Sequence, residues 1–312
     1  MVPRSTTVGL RTAFTFEQPS ISVSRWALHV FLLGLSLLTT TIVGVVLAQS
    51  FQHNRAVDID QYVNVFPLLW AHPWLWLDGL PYSLTLMTIL LAHELGHYFA
   101  CCYYGIDASL PYFLPAPFPG IGTFGAFIRI RSPIYTRRAL FDIGVAGPIA
   151  GFVLLVPAMA IGLAYSRVIP GIAQRGDLIF SVPAIQRLME LLIFPGHAAA
   201  DISLHPVARA AWVGTLATAL NLLPIGQLDG GHIIYSVAAN YHKLLSRIFV
   251  VALVPLGIFY WHTWLIWAAL LFFFALRHPV IFDVTPLDKK RVQLGILAAI
   301  IFLLTFTVVP IH

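Results

Sequence analysis

Charge is what this sequence has least of. Lys, Arg, Asp and Glu make up 10% of its 312 residues, against about 25% in soluble domains. That scarcity excludes a large soluble domain. Cysteine is almost missing as well: Cys101 and Cys102 are the only two, and they are adjacent. No disulfide framework can follow from such a pair, which reads as two small apolar residues packed at a helix end. What the chain has in quantity is hydrocarbon, with 59% hydrophobic residues and a mean hydropathy of +0.84. The expected fold is an all-α polytopic membrane protein with about six to eight transmembrane helices. The net charge of +5 is not read as a nucleic-acid interface, because basic residues in a membrane protein report topology.

Residues 1–25 are polar, with Arg4, Arg11, Arg25 and Glu17, and read as a cytosolic tail. Residues 26–48 are apolar and long enough to cross a bilayer. They exceed the h-region of about 7–15 residues in a signal peptide, so an uncleaved anchor is expected. Together with the loop that follows it forms a first unit, 26–80. Arg55, Asp58, Asp60 and Asp78 give that loop an acidic excess, which suits the outer side. Trp70, Trp74 and Trp76 suit an interfacial belt.

The next span, from about Pro81 to Tyr104, carries His93-Glu94-Leu95-Gly96-His97. Residues four apart share a helix face, so His93 and His97 can offer two imidazoles to one metal ion, with Glu94 beside them as a base. Two histidines and a carboxylate are costly among hydrocarbon, which argues against a chance match. His93 follows Pro81 by twelve residues, roughly 18 Å down a helix, so the site is expected within the membrane, nearer the cytosolic face.

Residues 105–138 do not read as a span. Pro111, Pro115, Pro117, Pro119, Gly120, Gly122 and Gly125 break helices, and Gly125–Arg131 alternates like a strand. The expectation is a re-entrant β-rich loop beside the metal, whose free edge could hold an extended substrate by strand addition. An ordinary cytosolic loop is the competing reading. Arg129, Arg131, Arg137 and Arg138 place its end in the cytosol.

Residues 139–166 form a third span. Gly147-Pro148-Ile149-Ala150-Gly151 within it lets another helix approach closely, and Asp142 near its start is suited to cap the helix or pair with an arginine. Residues 167–207 are an outer loop. In it Ser181-Val182-Pro183 reads as a cap for a short surface helix, Ala184–Phe194. His197 and His205 read as solvated loop residues.

The fourth span runs from about Ala208 to Asn221, then Leu222-Leu223-Pro224-Ile225-Gly226-Gln227-Leu228-Asp229-Gly230-Gly231-His232 follows. Pro224 and Gly226 should break the helix, which lets Asp229 stay near the depth of Asn221 and His93. Asp229 could then complete a His, His, Asp set with one open position, the arrangement of catalytic zinc. A plain turn role in an Asp-Gly pair is the alternative. His232 is a rival ligand, assigned here to support or packing.

The chain now resembles the site-2 protease family of intramembrane zinc metalloproteases. HExxH at His93–His97 and NxxPxxxxDG at Asn221, Pro224, Asp229 and Gly230 are both complete, and the resemblance runs from about Ser83 to Tyr235. It sets a catalytic membrane core at 81–235. No stretch is polar and long enough for the PDZ domain that many relatives carry, so the likeness is to a PDZ-less branch. The resemblance implies zinc as cofactor, transmembrane proteins as substrates, Glu94 as general base, and Asn221 as a donor to substrate backbone or oxyanion, with helix–helix bonding as the alternative for Asn221.

The last unit, 236–312, is apolar apart from short basic clusters. Residues 248–276 are one tilted span or a hairpin turning near Trp261-His262-Thr263-Trp264. The hairpin is favoured because it returns Arg277, Lys289, Lys290 and Arg291 to the cytosol. Residues 292–310 form the last span. Short loops and the absence of a transit-like N-terminus point to a bacterial inner membrane. A membrane metal transporter or sensor could use the same three ligands, but would leave Glu94 without a task. A zinc hydrolase acting on lipidated or soluble peptides would share the chemistry.

Overall fold

The computed structural model describes residues 23–116, 120–176, 179–274, 281, 283 and 285–311. The tail reading for residues 1–22, the two breakers Pro117 and Pro119, and Arg277 lie outside these residues. The chain is mostly helical and its longest helices are apolar. α1 is Val23–Gln52, α2 Ile59–Ala71, α3 Trp76–Tyr103, α4 Arg137–Ala164, α5 Ala184–Ile193, α6 Pro206–Asn221, α7 Asp229–Phe259, α8 Thr263–Phe274 and α9 Lys289–Thr305. Among the described residues, four stretches are long and apolar enough to cross a membrane: Trp26–Gln52, Pro73–Tyr103, Arg137–Ala164 and Asp229–Phe259. The expectation of six to eight such helices exceeds this number. α6, α8 and α9, at 16, 12 and 17 residues, fall short of the roughly 20 that a straight crossing needs.

Small residues let the long helices touch. α1 meets α3 where Gly44 faces Gly79, and a Cβ on Gly44 would lie 2.2 Å from the Gly79 carbonyl oxygen. The hydroxyls of Thr39, Thr40 and Thr41 bond back to carbonyls one turn earlier, and Thr40 also reaches Ser83 at 2.6 Å. These bonds satisfy polar groups in an apolar setting. α4 starts at a Thr136 cap that accepts the Ala139 N–H. Asp142 is therefore not the cap. It pairs with Arg291 at the start of α9 and accepts the Tyr104 hydroxyl, joining three helices.

The segment after α3 folds as an antiparallel hairpin, β1 (Tyr112–Pro115) with β2 (Thr123–Phe127). Further bonds between residues 107–109 and 129–131 extend its ladder. The hairpin packs along α1: His29 Nδ1–H donates to Pro111 O, and Thr39 donates to Gly122 O at 2.6 Å. Its tip reaches the beginning of α3, where the Tyr82 hydroxyl donates to Ile121 O. A two-residue pairing of β3 (Arg167–Val168) with β4 (Ile202–Ser203) ties down the loop between α4 and α6.

α5 lies where the sequence placed it, but Pro183, not Ser181, sits at its cap, with no side-chain cap bond. Gln186 and Glu190 point inward at 2% and 1% exposure and bond each other at 2.7 Å, while Leu188, Leu191 and Leu192 face outward. Residues 248–274 form a helical hairpin. α7 ends at Phe259, and α8 returns so closely that a Cβ on Gly257 would meet Leu265 at 2.6 Å. The first arm is longer than expected because α7 begins at Asp229 and bends at Ala238.

Candidate active site

α3 carries His93, Glu94 and His97, all buried. α4 lies against this stretch. A Cβ on Gly96 would meet Ala146 O at 2.5 Å, and one on Gly147 would fall 2.1 Å from His97 Nε2. The glycine at 147 is what leaves the imidazole its space. His97 Nδ1–H donates to Ile143 O at 2.7 Å, which fixes the ring and turns Nε2 inward.

The second half of the site comes from the break between α6 and α7. α6 stops at Asn221, the chain turns through Leu222–Leu228 with Gly226 at φ +54°, and α7 opens on Asp229. Gly230 and Gly231 allow a close approach rather than a special dihedral: a Cβ on either would lie 2.1–2.3 Å from a carbonyl oxygen of the turn. Two side chains farther along α7 hold the turn. Ser246 Oγ accepts the Gly226 N–H at 3.1 Å, and His242 Nε2 donates to Gly226 O at 3.2 Å. Sequence reasoning missed both, as it missed the Ile143 carbonyl. His232 offers no ligand atom to the cluster; its Cβ stands beside Gly144.

His93, His97 and Asp229 converge. His93 Nε2 is 3.1 Å from Asp229 Oδ2 and 3.1 Å from His97 Nε2, and His97 Nε2 is 3.3 Å from Asp229 Oδ1. Tetrahedral bonds of roughly 2.0–2.1 Å to zinc would put ligand atoms roughly 3.3 Å apart. The two imidazole nitrogens and the carboxylate, which faces one ring with each of its oxygens, are donors of the kind and closeness that a zinc ion takes. Asn221 Nδ2 is 3.2 Å from His93 Nε2, so the amide borders the same point. Glu94 sits beside the cluster, and the backbone of Ile128, just past β2, lies near its carboxyl. The five residues singled out from the sequence therefore meet at one place.

The sequence profile of Peptidase family M50 matches residues 81–261, more than half of the chain. The chain is 32% identical over 246 residues to the probable zinc metalloprotease EGY2, chloroplastic, of Arabidopsis thaliana, covering 73% of this chain and 41% of that protein. It is 36% identical over 162 residues to the probable zinc metalloprotease EGY1, chloroplastic, of the same plant, covering 49% and 28%. It is 31% identical over 234 residues to the EGY2 protein of Oryza sativa subsp. indica, covering 68% and 38%. The chain spans about two fifths or less of the length of these relatives. On the match across its membrane core, this membrane protein belongs to Peptidase family M50, the site-2 protease family.

Proposed function

We propose that the protein is an intramembrane zinc metalloprotease that hydrolyses peptide bonds in or near transmembrane segments of other membrane proteins. The observation that carries this reading is the convergence of three zinc-type donors beside a buried carboxylate on an apolar helix. His93, His97 and Asp229 would hold the ion. When bound, zinc supplies a Lewis acid that lowers the pKa of water toward about 7 and polarises a peptide carbonyl. Glu94 takes a proton from the attacking water and returns it to the leaving amide nitrogen. Asn221 donates to the substrate backbone or to the oxyanion from its place beside His93.

A substrate helix hides its peptide bonds in its own hydrogen bonds, so it must unwind to react. We read the β1–β2 hairpin as a re-entrant element that stabilises the unwound form through its free edge. Its ladder runs beside α1 and α3, and Ile128 at its base is next to Glu94. The catalytic core is assigned to 81–235. Adding α6, α8 and α9 to the four long helices gives seven crossings, with local thinning of the bilayer accommodating the short ones. The plant relatives are named as chloroplastic, which does not fit the bacterial inner membrane expected from the sequence. The proposal therefore commits to an integral membrane, with the site nearer the face that carries Arg129, Arg131, Arg137 and Arg138.

The test is cleavage of a membrane-embedded substrate by the reconstituted protein. Glu94→Gln should keep its zinc and lose cleavage, while Asp229→Ala should lose zinc as well. Undiminished cleavage by the Glu94 variant would sink the mechanism, and full zinc occupancy in the Asp229 variant would remove that residue from the ligand set.

A further inference from the structure

α6 carries Arg209 in its first turn. Arg209 makes no ion pair, and its guanidinium donates no hydrogen bond, among the described residues. Its close contact is the face of Phe180, 4.3 Å from ring centroid to guanidinium carbon. A partly buried guanidinium with five donors and no acceptor is costly, and a cation–π contact offsets only part of that cost.

Arg209 lines two cavities that meet at Leu47, Phe180 and Arg209 itself. One, of about 240 Å³, has exposed Arg55 as a second cation. The other, of about 200 Å³, is apolar, with Val43, Tyr82, Ile121 and Trp212 in its wall. No Asp or Glu lines either one among the described residues. Together they fall within the roughly 300–1,000 Å³ of small-molecule sites. Tyr82 precedes His93 by eleven residues, roughly 16 Å along α3, so this space is separate from the metal cluster.

We propose that the two neighbouring cavities, which share Leu47, Phe180 and Arg209 in their walls, bind an amphiphilic carboxylate, its head between Arg209 and Arg55 and its apolar body against Ile121 and Trp212. A single deep guanidinium matches a planar monoanion, which its fork can grip through two bonds. The second chamber, lined mainly by apolar side chains such as Val43, Leu47, Ile121 and Trp212, suits a hydrocarbon body better than a larger charged head. A fatty acid and the free C-terminus of an apolar peptide share this chemistry. The inference does not depend on the protease reading.

The test uses the full chain in lipid nanodiscs and a decanoic acid bearing a diazirine, with crosslinks mapped by mass spectrometry. Labelling of the Ile121 or Trp212 peptides should saturate and should be competed by decanoate but not by decanol. It should fall about tenfold or more in Arg209→Gln, as befits a lost charge-assisted pair, and several-fold in Arg55→Gln. Because Arg55 is exposed, that variant decides the matter if Arg209→Gln does not fold. Competition by acetyl-trileucine with a free carboxylate, but not by its amide, assigns the site to peptide ends; competition by decanoate alone assigns it to fatty acids. Labelling that does not saturate, that decanol competes equally, or that both variants retain would overturn the proposal.

Discussion

At the scale of single residues, Gly147 stands directly against one of the metal donors. Its missing Cβ is the space that His97 Nε2 occupies. Gly147→Ala should weaken zinc binding by roughly ten- to a hundredfold, the range seen when ligand support is disturbed. Gly34→Ala, where a Cβ meets nothing within 4 Å, should change nothing. Metal content of the purified variants checks this, and normal zinc in Gly147→Ala would refute it. The donors themselves were legible from the sequence because helix period aligns His93 with His97, and because Pro224 and Gly226 announce the break before Asp229. Ser246 and His242 were not legible. A serine and a histidine on a long helix carry no pattern until the turn has folded back onto them.

At the scale of elements, α6 is capped by a titratable side chain. His205 Nδ1 accepts the Val207 N–H at 3.3 Å, and its ring meets Phe51 edge to face. Burial, and then the nearby Arg167 charge, hold its pKa below the ordinary 6.5. The unfolded chain therefore binds this proton more readily than the folded one. The capping contribution is complete above pH 6.5 and is lost as pH falls below it. The apparent melting temperature should drop between pH 7.5 and 5.5, and His205→Asn, which keeps an acceptor without a titration, should flatten that drop. An identical pH response in the variant would refute the assignment. The sequence marked His205 as a solvated loop residue, since the cap is visible only once Pro206 is known to start the helix. It likewise located α5 as a short surface helix but not the burial of Glu190, which turns inward toward Gln186.

At the scale of the molecule, the site ties two halves of the chain together. His93 and His97 come from α3, while Asp229 starts the helix that leads into the α7–α8 hairpin. An ion held between them stabilises only the folded arrangement. Removing zinc with a chelator should lower the apparent melting temperature by roughly 5 °C or more, measured at one scan rate. Asp229→Ala should show no such shift; an equal shift in that variant would point to a different metal site. The hydropathy of the sequence announced a membrane protein but not its number of long helices. A length rule counts apolar residues, and the chain interrupts its apolar runs at Asn221, Ala238 and Phe259.

The outward leucines of α5 have a practical consequence. With Leu188, Leu191 and Leu192 turned outward, Leu192 at 83% exposure, this short helix presents an apolar strip at the edge of the molecule. Such a patch binds amphiphile or another apolar surface. A detergent belt fitted only to the long helices would leave it bare, so purified particles should self-associate in short-chain detergents and disperse in longer ones. Leu192→Glu, which gives the rim a charge, should make the choice of detergent matter less.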